Sequence, residues 1–143
     1  MASSKALFQN GGQMIAIDTN ILVRIVTNDD PVQAQRAANI LQNHAIFISK
    51  TVLLELEWVL RFSYSLERTI ILATLQKILA TDSFTIEQSS VIEQSLQWYE
   101  KGMDFADALH LACSLHADKF VSFDKKLIKK ASELNIGLVM LEA

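Results

Sequence analysis

Short apolar runs alternate with helical patterns of about ten residues or more from Met14 onward, and this alternation restricts the fold most. The runs are MIAID, AIFIS, SFTI, KFVSF and GLVML. Between them, helical spacing extends through about Thr27, then over Pro31–Asn43, Thr51–Ser63, Leu66–Ala80, Ser90–Lys101, Asp104–His116 and Asp124–Leu134. Strands joined by long helices need crossover connections, and these make neighbouring strands parallel. Runs apolar on both faces are then covered by helices on both sides. The expected fold class is α/β: a three-layer α/β/α sandwich around a mainly parallel sheet of four or five strands. In such sheets ligands bind at the carboxyl ends of the strands.

The chain has 143 residues, 50% hydrophobic and 20% charged, which is enough for one domain with its own core. That domain is expected over 14–143. Residues 1–13, MASSKALFQNGGQ, lack periodicity and read as a flexible leader or a remnant of expression. Four glycines, at 11, 12, 102 and 137, cannot build a Gly-rich phosphate loop, so the common nucleotide-binding signatures are excluded. The single cysteine, Cys113, excludes an internal disulfide and a cysteine zinc cage. In LHLACSL it reads as a small core residue. A cytoplasmic setting with no membrane attachment is expected, because charges interrupt every apolar run short of the length that spans a bilayer. The net charge of −3 argues against gripping a polyanion by overall field. Lys125, Lys126, Lys129 and Lys130 form one local basic cluster, read first as a solvated helix face.

Acidic residues stand where a buried sheet would exclude them. Asp18 follows MIAI and Asp124 follows KFVSF, both at strand ends facing a helix. Asp104 and Asp107 open the apolar helix DFADALHLA. Each of these four can also be a helix cap or a first-turn acid. Glu55, in KTVLLELEWVLRF, falls among Val52, Trp58, Val59 and Phe62 on a helical wheel and is expected to face inward, with Glu57 opposite. Trp58 is expected to pack in the core. No matching cations occur in the apolar segments. Carboxylates forced together repel unless a divalent ion joins them, and oxygen-only ligands suit Mg²⁺ or Mn²⁺.

Such a site, without a nucleophilic Ser or Cys constellation, points to hydrolysis of phosphodiesters by an activated water. Asp18, Glu55, Asp107 and Asp124 are the expected metal-binding and catalytic set. Asp104, Thr19, Asn20 and Ser122 are auxiliary, the last three as hydrogen-bonding support or ordinary turn residues. His110 reads as a partly buried helical histidine, and Arg24 as a member of a surface salt bridge. A haloacid-dehalogenase pattern fails at Asn20, where it needs a second Asp, and a receiver domain lacks its early paired acid.

The segments MIAIDTNILVRI, SKTVLLELEWVLR, MDFADALHLA and FVSFDKKL, in this order, resemble the four acidic blocks of PIN-domain nucleases, specifically VapC-type toxins of type II toxin–antitoxin systems. The resemblance covers essentially Met14 to Ala143. It implies the α/β/α fold and a Mg²⁺- or Mn²⁺-dependent endoribonuclease leaving a 5′-phosphate. Its four acids map to Asp18, Glu55, Asp107 and Asp124. Also implied are an RNA substrate, a homodimer, and a small antitoxin seated in a groove beside the acids. A catalytically silent PIN-like module, binding metal or a partner, is the alternative.

Overall fold

In the computed structural model, which describes residues 13–143, AIFI becomes the middle strand of a parallel sheet. Of the expected leader, only Gln13 falls within the described residues. The chain divides into two compact units, Met1–Ser89 and Ser90–Ala143. Among the described residues there are five strands and seven helices, and every strand pairing is parallel. The α/β class expected from the alternation is what the chain adopts.

In the first unit the order is β1 (Met14–Ala16), α1 (Thr19–Thr27), α2 (Pro31–Asn43), β2 (Ala45–Ile48), α3 (Lys50–Phe62), α4 (Arg68–Leu79) and β3 (Phe84–Ile86). The sheet order is β1-β2-β3, with Met14 opposite Ala45 and Ile46 opposite Phe84. The central strand of a parallel sheet is paired along both edges and covered on its faces by crossover helices, and Ala45, Ile46 and Ile48 are accordingly buried. α2 and α3 start where a side chain satisfies a free N–H group, whereas α4 begins after Glu67 with no side-chain cap. Asp30 accepts from Gln33 N at 3.1 Å with Pro31 in the first turn, and Ser49 accepts from Val52 N at 3.3 Å. Asn28 ends α1 in the left-handed region, at φ 51°, donating its N–H to Arg24 O. Leu22, Leu53, Leu56, Leu60, Ile71 and Leu75 are fully or almost fully buried, each contributing about 1.5–3 kcal/mol by leaving water.

The second unit holds α5 (Ser89–Glu100), α6 (Phe105–Ala112), β4 (Lys119–Ser122), α7 (Lys125–Glu133) and β5 (Val139–Glu142). β4 and β5 pair in parallel from Lys119–Val139 to Ser122–Glu142, and α7 is the crossover between them. Its core gathers Trp98, Met103, Ala108, Leu111, Leu127 and Leu138. Tyr99 meets Phe105 edge-on at 5.5 Å, an arrangement favoured by the ring quadrupoles. Cys113 is half-buried where α6 ends. No helix among the described residues is long and apolar enough to cross a membrane.

Candidate active site

Asp18 and Asp124 are both helix N-caps placed just past a strand. β1 ends at Ala16 and β4 at Ser122, so each acid lies just past its strand as the N-cap of the next helix. Asp18 Oδ1 accepts from Thr19 N at 2.7 Å; Thr19 is buried, while Asp18 and Asn20 are exposed. Asp124 Oδ1 accepts from both Lys126 N (3.0 Å) and Leu127 N (3.1 Å). The backbone N–H of Asp124 in turn donates to Ser122 Oγ at 2.9 Å. Capping therefore occupies Oδ1 of Asp124, and Oδ2 makes no hydrogen bond among the described residues.

Asp104 caps α6, its Oδ2 accepting from Asp107 N at 3.2 Å. Asp107 is then held in the first turn of a helix whose Phe105, Ala108, Leu109 and Leu111 are buried, as the apolar wheel predicts. Its carboxylate is half-buried and receives no hydrogen bond among the described residues. Desolvation raises its pKa, the charges of Asp104 and then Asp124 raise it further, and His110 opposes them. The histidine, expected to be partly buried, is exposed.

These three acids border one cavity of about 290 Å³, together with Gly102, Lys126 and Lys130. Gly102 adopts φ +101°, and Lys130 Nζ lies 3.3 Å from where a Cβ at Gly102 would stand. Sequence reasoning assigned the lysines to a solvated face and so missed Lys126 and Lys130 as cavity residues. The available signal was their i, i+4 spacing two and six residues after Asp124. A second cavity, about 360 Å³ and within the first unit, carries no acid; Leu22, Ile25, Leu41, Ile78, Phe84 and Lys77 border it.

α3 corrects the inward placement of Glu55. The buried stripe is Leu53, Leu56, Glu57 and Leu60, whereas Glu55 is exposed. Trp58, expected in the core, is 53% exposed and meets Phe62, also exposed, at 5.0 Å between centroids. Both stripes of this helix are apolar, so the wheel alone cannot choose between them. The choice is settled by Glu57, 1% exposed, which Arg61 engages through Nε at 2.8 Å and Nη2 at 3.2 Å. A two-pronged guanidinium bond one turn away lowers the cost of burying that carboxylate. Arg24 forms the expected surface bridge with Asp29 at 3.2 Å. Tyr64 also donates to Asp29, at 2.6 Å, and this bond first, with that from Thr27, holds the Asp29 pKa low.

The family model for the PIN domain matches residues 15–133, most of the chain. The chain belongs to the PIN-domain family. No curated protein gives a significant match. PIN domains are typically divalent-metal-dependent nucleases acting on nucleic acid, and the acids described above lie within the matched span. The donors of this PIN domain fit a hard divalent cation in kind: carboxylate oxygens with Asp107 and Asp124 Oδ2 unclaimed by protein donors. Among the described residues no three His, Cys, Asp or Glu side chains are already drawn together as a ligand group. A cation beside Asp107 would reverse the repulsion that raises its pKa.

Proposed function

We propose that this PIN-domain protein is a Mg²⁺- or Mn²⁺-dependent endoribonuclease of VapC type, the toxin of a type II toxin–antitoxin pair, working in the cytoplasm. The observation that carries this reading is the cavity that Asp104, Asp107 and Asp124 border, inside a PIN-domain match. The motif order adds Asp18 and Glu55, giving Asp18, Glu55, Asp107 and Asp124 as the metal-holding, catalytic set. A divalent ion supplies an activated water and screens the phosphate charge.

The chain's own residues supply position. Asp107 and Asp124 offer oxygens that no protein donor claims, and Asp104 and Ser122 hold their backbones through the hydrogen bonds given above. Thr19 and Asn20 stand beside Asp18 as auxiliary groups. The exposure of Glu55 leaves its carboxylate open to an ion or to substrate. A small antitoxin is the proposed protein partner, on the strength of the resemblance of the four acidic blocks alone. A homodimer completes the proposal.

The test is cleavage of an RNA panel by the purified chain with Mg²⁺ or Mn²⁺, repeated with Asp107→Asn, alongside growth of cells expressing the chain alone. Cleavage lost in Asp107→Asn, with growth arrest from the unmutated chain, supports the proposal. RNA or metal binding with no turnover identifies a silent PIN-like module instead. A small reading frame for a DNA-binding antitoxin immediately upstream would support the toxin role.

A further inference from the structure

We infer that Lys126 and Lys130 form a two-point clamp for the phosphodiester backbone of nucleic acid at the acid-bordered cavity. This rests on the nuclease reading above and adds residues to it. The sequence of α7, KKLIKKASE, has two pairs of lysines one turn apart. Leu127 and Ala131 are buried and fix the rotation of the helix. With about 100° per residue, Lys126 and Lys130 then share one stripe, and Lys125 and Lys129 the adjacent one.

Only the first stripe borders the cavity. Lys125 is directed elsewhere, to Glu142 at 3.6 Å, and Lys129 is exposed. Lys126 has no ion pair among the described residues, and the one for Lys130 is with Glu133 at the long distance of 3.9 Å. Among the described residues neither lysine forms an ion pair with Asp107 or Asp124, which border the same space. Gly102 allows Lys130 Nζ to lie against the loop leading to Asp104.

The ammonium groups and the Asp107 and Asp124 carboxylates thus border one cavity of about 290 Å³ with no ion pair between them among the described residues. A phosphodiester accompanied by a divalent cation complements both signs. Its anionic oxygens meet the lysines and the cation meets the carboxylates. Lysine suits this role as a point charge on a flexible stem, reading charge without base identity. The acidic chain can then hold a polyanion locally despite its net charge of −3.

The test is fluorescence anisotropy of labelled single-stranded RNA oligonucleotides in Ca²⁺ over a salt series, with Lys126→Ala, Lys130→Ala, Lys125→Ala and Lys129→Ala. Removing either clamp lysine should lower the slope of log affinity against log salt by about 0.7, equally for every RNA sequence. Lys126→Arg and Lys130→Arg should keep the slope, and Lys125→Ala and Lys129→Ala should leave it unchanged. In cleavage assays the clamp variants should raise KM more than they lower kcat. Equal slopes in all four alanine variants, or equal losses, overturn the clamp. If the unmutated chain cleaves RNA and the clamp variants match it, the clamp fails and the nuclease reading stands. If RNA is bound through these lysines but never cut, the clamp stands and the nuclease reading fails. An unmutated chain that binds no RNA removes both.

Discussion

Replacing Asp124 in two ways separates its service to α7 from its service to the reaction. Its Oδ1 accepts two backbone N–H groups at 3.0 and 3.1 Å, so Asp124→Ala leaves both donors to water. Loss of an N-cap to alanine costs about 1 kcal/mol, within a range of roughly 0.5–2. For a chain of 143 residues this lowers Tm by about 3 °C. Asparagine caps as well as aspartate, so Asp124→Asn should keep Tm within about 1 °C of the parent. It also removes one of the charges that raise the Asp107 pKa. Cleavage should fall in both variants by more than the roughly ten- to hundredfold typical of residues that merely support a metal ligand. Thermal denaturation followed by circular dichroism gives the first quantity and single-turnover RNA cleavage the second. Full cleavage by Asp124→Asn would show that this carboxylate only caps its helix.

Other outcomes follow from the same geometry. Glu55→Gln, at an exposed position, should change stability by no more than about 0.5 kcal/mol while lowering cleavage, whereas Leu60→Ala, at a fully buried one, should cost about 2–5 kcal/mol in urea unfolding. Folding raises the Asp107 pKa, so above the ordinary carboxylate range the folded chain holds more of this proton than the unfolded one. Stability should therefore fall as pH rises through the raised value, and Asp107→Asn should flatten that decline and unfold at higher urea at neutral pH. Mg²⁺ or Mn²⁺ at ten times its Kd should stabilise the parent by about 1.4 kcal/mol, and Asp107→Asn by less; calorimetry with each ion reads both.

How much was legible varied with the length of the pattern. Strands and helices were readable because the alternation was regular; Pro31 opens its helix as expected, and the helix expected from Thr51 starts one residue earlier, at Lys50. The apolar wheel of DFADALHLA correctly marked α6 as a largely buried helix, although it ends at Ala112, short of the expected His116. α3 was misread because both of its stripes carry apolar residues, and hydropathy has no term for the Glu57–Arg61 bond that decides between them. Trp58 was lost to the same ambiguity: a large ring scores as core wherever it stands, yet this one is mostly in water. The lysines were legible as charge but not as position, since only the burial of Leu127 and Ala131 tells which pair faces the cavity.

Gly102 has no functional group, yet its missing side chain leaves room beside the Lys130 ammonium. Any other side chain at that turn would oppose φ +101° and crowd Lys130 Nζ at 3.3 Å. A substitution there therefore strains the backbone of the loop that leads to Asp104 while leaving every acid in the sequence intact.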